Sequence, residues 1–417
     1  MKITILSLYY WPEPAGIAPL AAELAEGLAA RGHDVSVVTG FPNYPARKVA
    51  KEYRGRLFAR ERIRGVRVFR TWVHVSSERN GLLKILNHAS FTASCVAGLV
   101  AAGRPDVIAT FSPPLTLAVP AMAASRAWGV PHVFCVQDLL PEAAVTFGLL
   151  RNRRLIAAME ALERAAYRQA SRVAVISEGF RRNLLGKGVP EGKIDLVYNW
   201  VDTERVRPSA RENGWRHGLG LNGDPVVLYA GNMGFSQGLD RVVDAAAMLS
   251  RDGVKFLFVG DGTQKAELAA RVRESGVTNA RVLPVEPQER MPEVLAAADL
   301  LLVSQKGNVL DINLPSKIPA YLAAGRPMIA AVNPLGDAAR IARECGGAVW
   351  VPPEDPAALA AAIRDLLADP ARREAMSRAA RAYAEAHFRR GPAVERYEAS
   401  LRGACGQPPT CIAPRPC

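Results

Sequence analysis

Cysteine, histidine and paired acids are scarce in this chain of 417 residues. It has six cysteines and six histidines, with no His-Glu-x-x-His run and no Asp-x-Asp pair, so a metal-bound nucleotide is not signalled and no metal site is expected. Cys95, Cys135 and Cys345 sit in apolar contexts and read as reduced core residues. Cys405, Cys411 and Cys417 lie in a Pro-rich tail, expected to be disordered, that lacks the fourth ligand and the tight pairs of a zinc site. There is no Walker A run. The one match to G-x-G-x-x-G, at Gly218, Gly220 and Gly223, precedes the candidate strand it would have to follow, which removes its dinucleotide meaning. A secretory leader is also missing: the apolar run 3–11 follows a single Lys2 and ends in Trp-Pro-Glu-Pro, so the chain is expected to stay in the cytosol.

Acidic residues are outnumbered, 40 Asp and Glu against 53 Lys and Arg, for a formal charge of +13. Such an excess favours acidic partners: nucleic acid, phosphorylated small molecules or anionic lipid. It is uneven. The segment 47–70 opens with Arg47, closes with Arg70 and holds ten Lys or Arg against two Glu, which is either a solvated face or a polybasic patch. The uncharged stretch between Lys84 and Arg104 is long enough to span a membrane, but Asn87, His88, Ser90, Thr92 and Ser94 make it a poor span. It reads as a packed helix, with a helix lying on the bilayer beside the basic segment as the alternative.

What is present in quantity is βα alternation. Apolar strand candidates at 3–9, 35–39, 66–71, 107–110, 132–136, 172–176 and 194–197 are interleaved with helical periodicity, as in 17–28 and 155–169. A polar, Gly-rich link at 205–224 separates these from a second series at 226–230, 255–259, 280–283, 300–303, 328–332 and 348–351. Parallel strands joined by right-handed crossovers imply two Rossmann-like, doubly wound α/β domains facing a central cleft, with C-terminal helices packing back. The expected division is residues 1–203, residues 204–388, a returning helix at 389–402 and the tail at 403–417.

The stretch 311–329, DINLPSKIPAYLAAGRPMI, is the clearest candidate site. Pro315 suits a helix start and Ser316 a cap. The free N–H groups of the first turn, with Lys317 beside them, would receive an anion, and Gly325 ends the helix. A second anion nest is expected at Gly231, Asn232, Met233 and Gly234, with Gln237 leading into the next helix. Gly260, Asp261 and Gly262 follow the next strand at the same edge. In the first domain Gly16, with Ile17, follows strand one. Asp138, with Glu142, follows the strand 132–136, where its carboxylate is either a positioning or charge-stabilising group or the N-cap of the following helix.

With these pieces in place the sequence resembles glycosyltransferase family 4, the retaining, metal-independent enzymes of GT-B fold, and within it the bacterial group of colanic acid and O-antigen assembly that includes N-acetyl-L-fucosamine transferases. The resemblance rests on Tyr9-Tyr-Trp-Pro-Glu-Pro-Ala-Gly16, Ala29-Ala-Arg-Gly-His-Asp-Val35, Phe41-Pro-Asn-Tyr-Pro45, Asp138-Leu-Leu-Pro-Glu142, Tyr198-Asn-Trp-Val-Asp202, Ala230-Gly-Asn-Met-Gly234, Gly260-Asp-Gly262, Leu314-Pro-Ser-Lys317 and Tyr321-Leu-Ala-Ala-Gly-Arg-Pro327. It implies an acceptor-binding first domain, with Gly16, Ile17, Asp138 and Glu142 on the acceptor side, and a nucleotide-sugar-binding second domain.

The donor set so implied is Gly231, Asn232, Met233, Gly234, Gln237, Gly260, Asp261, Gly262, Pro284, Val285, Lys306, Leu314, Pro315, Ser316 and Lys317, with Asp138 and Lys317 catalytic and no metal or other cofactor. Two departures stand out. The family usually has an Arg and a Lys where this chain has Asn232 and Gln237, and two Glu where it has Ile312 and Ala320. Lys317, helped by Lys306, is the nearest replacement cation for the donor diphosphate. The expected activity is retaining transfer from a nucleotide diphosphate sugar, UDP-linked, to a polyprenyl-diphosphate-linked or growing cell-surface saccharide. The enzyme would be peripheral at the inner face of the cytoplasmic membrane, with an anionic membrane surface met through residues 47–70 and nucleic acid not a partner. A UDP-sugar 2-epimerase of the same fold and a non-catalytic nucleic-acid binder are the rival classes.

Overall fold

The computed structural model describes the chain apart from residues 15, 44–47, 77–80, 147, 149, 222, 310–313 and 409–417, and the side chains of 81, 82 and 84. It divides into two units, Met1–Tyr198 with Gly391–Cys417, and Asn199–Arg390.

The strands of the first unit are β1 (Lys2–Leu6), β2 (Asp34–Gly40), β3 (Phe58–Ile63), β4 (Val66–Thr71), β5 (Val107–Ser112), β6 (His132–Val136), β7 (Arg172–Val175) and β8 (Ile194–Leu196). They form one sheet in the order β3-β4-β2-β1-β5-β6-β7-β8, parallel except where β3 pairs antiparallel with β4. Its helices are α1 (Ile17–Ala30), α2 (Gly81–Ala102), α3 (Ala118–Trp128), α4 (Glu142–Thr146), α5 (Arg153–Gln169) and α6 (Glu178–Gly186).

The second unit carries an all-parallel sheet of β9 (Val226–Ala230), β10 (Lys255–Val259), β11 (Ala280–Leu283), β12 (Leu300–Ser304), β13 (Met328–Ala331) and β14 (Ala348–Val351), in the order β11-β10-β9-β12-β13-β14. Helices α7 (Gly214–Gly218), α8 (Leu239–Met248), α9 (Lys265–Glu274), α10 (Met291–Ala296), α11 (Lys317–Ala323), α12 (Asp337–Glu344), α13 (Pro356–Ala368) and α14 (Pro370–His387) accompany it. The last helix, α15 (Arg390–Ala404), belongs from Gly391 onward to the first unit.

Both sheets are doubly wound, as the alternation in the sequence implied. Strands β5, β6, β9 and β12 are buried at every position, which is what helices on both faces of a parallel sheet produce. Helix α1 turns Ala18, Ala21, Leu24 and Leu28 inward at helical spacing. Side-chain caps fix other helix starts: Asp355 accepts from Ala358 N ahead of Pro356, and Asp369 accepts from Arg372 N ahead of Pro370. In each sheet the strand order reverses beside the first strand, between β1 and β5 and between β9 and β12. The carboxyl ends at such a reversal are where open α/β sheets bind ligands.

Two expectations are corrected. Strand β3 was read only as part of the basic segment, because its alternation is between charged residues. It is the edge of the sheet, where Arg60 and Arg62 stay exposed and discourage pairing with another chain. The tail does not lose order at 403: α15 runs to Ala404 and closes through Gly406, at φ +68°, with Gln407 N donating to Arg402 O at 2.9 Å. Cys411 and Cys417 lie outside the described residues, while Cys95, Cys135 and Cys345 are buried free thiols. Helix α15 is held to the first unit by Glu398, which pairs with Arg31 and with His33 Nε2 at 3.1 Å, and by Ser400 Oγ donating to Asp195 Oδ2 at 2.6 Å.

Candidate functional site

The loops leaving β9, β10 and β12 are bound to one another at the carboxyl edge of the second sheet. Gly231 N donates to Val259 O at 2.9 Å, Met233 N to Asp261 O at 2.7 Å, and Gln264 N to Met233 O at 2.9 Å. From the other side Ser304 Oγ donates to Gln237 O at 2.7 Å and Lys306 N to Ser236 O at 2.9 Å. The β9 and β10 loops pack main chain against main chain. A Cβ on Gly260 would lie 2.0 Å from Gly231 O, and one on Gly262 2.3 Å from Met233 O, with φ at +148° and +156°. These two glycines are therefore required by the approach of one loop to the other. Met233 is likewise a packing residue, fully buried in the core with both main-chain groups bonded.

Lys317 opens α11 and reaches back under this edge. The residue as a whole is half-exposed, but its Nζ is buried and has no hydrogen-bond partner among the described residues. It lies 3.5 Å from the centre of the Tyr229 ring, a cation–π contact. Gly231, at φ +139°, leaves the space that it fills: a Cβ there would meet Lys317 Cε at 3.2 Å and Nζ at 3.3 Å. Tyr229 in turn donates to Asn232 O at 2.5 Å. Tyr321, one turn along α11, accepts from Ala230 N at 2.7 Å and donates to Ala230 O at 3.0 Å, so the end of β9 and the helix carrying Lys317 are fixed together. Burial pushes the Lys317 ammonium well below the usual lysine range.

The start of α11 differs from the expected anion nest. Ser316 occupies the cap position without a capping hydrogen bond, and Pro315 lies before the helix and not in its first turn. Ile318 N is already bonded to Pro315 O at 3.1 Å, and Pro319 has no N–H to offer. Few backbone donors remain, so the positive character of this point rests on the Lys317 side chain. Leu314 is half-buried, Pro315 buried and Ser316 exposed; Asp311 and Ile312 lie outside the described residues. Lys306 stands over the exposed Phe235 ring at 3.4 Å, beside the same turn as Asn232, Gly234 and Gln237. Pro284 and Val285 are exposed just past β11, at the far edge of the sheet.

In the first unit Gly16 follows β1 and caps α1 at φ +66° with no atom near the position of a Cβ, which keeps the start of α1 open. Ile17 is buried in the core beneath it. Asp138 is half-buried two residues beyond β6, on the same sheet edge as Gly16. Helix α4 begins at Glu142, and Ala143 N already donates to Leu139 O at 2.8 Å, so Asp138 immediately precedes this first turn. The Glu142 carboxylate takes Lys187 Nζ at 3.1 Å and Asn183 Nδ2 at 2.8 Å, fastening α4 to α6, with Glu163 sharing Lys187 at 2.7 Å. This structural pairing stands beside its proposed place on the acceptor side. Among the described residues no three His, Cys, Asp or Glu side chains converge as a metal-ligand set.

Sequence reasoning missed Tyr229 and the double contact of Tyr321; a tyrosine at the end of a buried strand was the available signal for the first. It also missed Phe235 and Lys265, whose Nζ donates to Gly260 O at 2.8 Å.

The family description "Glycosyl transferase 4-like domain" matches residues 15–200, and "Glycosyl transferases group 1" matches residues 224–369. The chain is 30% identical over 412 residues to the putative colanic acid biosynthesis glycosyl transferase WcaI of Escherichia coli K12, covering 97% of this chain and 100% of that one. It is 26% identical over 275 residues to the probable glycosyltransferase WbjE of Pseudomonas aeruginosa, 64% of this chain and 67% of that one. Among solved structures, sucrose-phosphate synthase from Thermosynechococcus elongatus matches with a TM-score of 0.73 at 20% identity, over 96% of this chain and 98% of the other. Anabaena HepE in complex with UDP-glucose matches at 0.71 and 20%, over 97% and 100%.

Proposed function

Because the chain belongs to the GT-B glycosyltransferases that join a transferase 4-like domain to a group 1 domain, we propose that it moves a sugar of the N-acetyl-fucosamine or fucose type from a UDP-linked donor to a polyprenyl-diphosphate-linked saccharide, with retention at the anomeric carbon. The single observation that carries the donor half is the Lys317 amine, buried with no hydrogen-bond partner among the described residues and seated on Tyr229 beside the main chain of Gly231. An unpartnered buried cation is costly unless an anion arrives to meet it, and a diphosphate supplies that anion. The UDP-glucose in HepE and the colanic acid role in the name of WcaI support the choice of nucleotide and of acceptor class.

In this reading the donor C1–O bond to phosphate breaks as the acceptor oxygen bonds to C1 on the same face. The acceptor proton passes to the departing phosphate oxygen, giving the glycosylated acceptor and UDP. Lys317 holds the negative charge that develops on the leaving diphosphate, in a site that excludes water. Asp138 steadies the positive charge on the sugar ring or orients the acceptor hydroxyl. The enzyme works as a peripheral protein at the inner face of the cytoplasmic membrane, where a lipid-linked acceptor presents its saccharide.

The test has two parts. A thermal-shift screen of nucleotide sugars should single out a UDP-linked donor, since ligand at a hundred times its Kd stabilises by about 2.7 kcal/mol. NMR of the product formed with that donor should show the donor's anomeric configuration, and Asp138→Asn should lower kcat by roughly 10²–10⁴-fold with donor affinity unchanged. No stabilisation by any UDP-linked sugar, an inverted product, or isomerisation of the donor without acceptor would each overturn the proposal.

A further inference from the structure

Helix α2 covers the β2–β4 end of the first sheet with one side only. Phe91, Cys95 and Leu99 are buried, Ser94 Oγ donates to Trp72 O at 2.5 Å, and Asn87 Nδ2 donates to His74 O at 2.7 Å. The outward side repeats Leu86, Ala89, Ala93, Val96 and Val100 at helical spacing, with no charge before Arg104. Val96 is 49% and Val100 68% exposed. A helix packed on a sheet ordinarily turns polar residues to water, whereas this one is apolar on both sides.

The apolar surface continues past the helix. Trp72 is exposed where β4 ends, and its N–H donates to Leu57 O at 3.0 Å, which brings the exposed Leu57 and Phe58 to the same rim. Cations surround that rim. Among the described residues no carboxylate pairs with Lys48, Lys51, Arg54 or Arg56. By contrast Arg64, Arg67 and Arg70 of the same basic segment are taken by Glu26, Asp34 and Glu61. Lys48 and Arg54 also line, with Val49, Trp72, His74 and Val75, an open groove of about 610 Å³. His74 Nε2 is buried with no hydrogen-bond partner among the described residues.

We propose that this face of the N-terminal unit docks on the surface of an anionic phospholipid bilayer. Leu57, Phe58, Trp72 and the outward stripe of α2 enter the boundary between headgroups and acyl chains. Lys48, Lys51, Arg54 and Arg56 meet headgroup phosphates, and the groove seats one headgroup. Apolar area and unpaired cations side by side are the two signals that reversible membrane attachment requires. A span by α2 is disfavoured, because Phe91, Cys95 and Leu99 would have to leave the sheet. The face stands on its own observations, so its failure would leave the donor chemistry of Lys317 untouched.

Flotation with phosphatidylcholine vesicles, with and without phosphatidylglycerol, tests it. The wild-type chain should float only with the anionic vesicles, and less as salt rises. Each cation near such a surface strengthens binding roughly fivefold, so K48E/K51E/R54E/R56E should weaken it by roughly 600-fold or more. V96D/V100D, at exposed positions, should also release the protein while keeping its melting temperature and its stabilisation by donor. No flotation of the wild type, or equal flotation of both variants, would overturn the proposal. So would a dimer in solution that V96D/V100D dissociates, since the face would then belong to a second copy of the chain.

Discussion

Replacing Lys317 by methionine separates two demands that fall on one nitrogen. In the donor-free protein the Nζ is buried against the Tyr229 ring and the main chain of Gly231, with no hydrogen bond among the described residues. Methionine keeps the unbranched shape and its own attraction to the Tyr229 ring while removing the desolvated amine. Replacing a buried ionic group by a hydrophobic one of like volume commonly stabilises by about 1 kcal/mol or more. For a unit the size of Asn199–Arg390 each kcal/mol gained raises the melting midpoint by about 2–4 °C. The donor complex should respond in the opposite direction: loss of a charge-assisted contact to phosphate costs about 1.5–3 kcal/mol, roughly 10–150-fold in affinity.

The same residue sets a pH dependence. Burial lowers its pKa in the free protein and a diphosphate beside it would raise it, so binding takes up a proton at any pH between the two values. Donor affinity should be greatest below the free-state pKa and fall, by up to tenfold per pH unit, as pH rises above it. For folding, the unfolded chain carries the proton at pH values where the folded one does not, so the donor-free wild type should gain stability on K317M as pH rises. Calorimetric titrations in buffers of different ionisation enthalpy, with thermal melts across pH, read both effects. A K317M variant that melts lower than the wild type without donor, binds donor as tightly and keeps the pH slope would refute the reasoning.

Gly262→Ala should destabilise by more than about 4 kcal/mol in denaturant unfolding, because its Cβ would fall 2.3 Å from Met233 O and 2.6 Å from Met233 N at φ +156°; a near-normal midpoint would show that the loops do not need that approach. Glu142→Gln should cost about 1 kcal/mol of stability by loosening α4 from Lys187 on α6, with kcat unchanged, whereas a fall in kcat at normal stability would place it on the acceptor side.

The strands were legible because parallel strands covered on both faces leave uninterrupted apolar runs, as in VVLYA of β9 and LLLVS of β12. Strand β3 was not, since an edge strand protects itself with the same arginines that mark a surface patch. At the site, a lysine at a helix start was readable from Leu314-Pro-Ser-Lys317. What surrounds it was not: Tyr229 lies 88 positions away, and only the fold brings its ring under the ammonium. The sequence did contain Pro319, and the donor it removes from the first turn was open to the same reading. The pairing of Glu142 with Lys187 joins two helices through tertiary contacts that neither local pattern encodes.

Helix α15 ties the last described turns of the chain to parts of the first unit made long before it: Glu398 reaches Arg31 and His33 in the turn between α1 and β2, and Ser400 reaches Asp195 in β8. On the ribosome this imposes a schedule. The first unit emerges complete except for that helix and must wait for the whole of the second unit to be translated, roughly 10–40 s at 5–20 residues per second. During that interval Ala22, Leu24 and Leu28 of α1 are in place, but Gly27, whose missing side chain accommodates Val394, has nothing against it. A nascent chain arrested before residue 391 would therefore hold an N-terminal unit with an uncovered seam. Chaperone contact and protease sensitivity should concentrate there, and vanish only when the final helix is released.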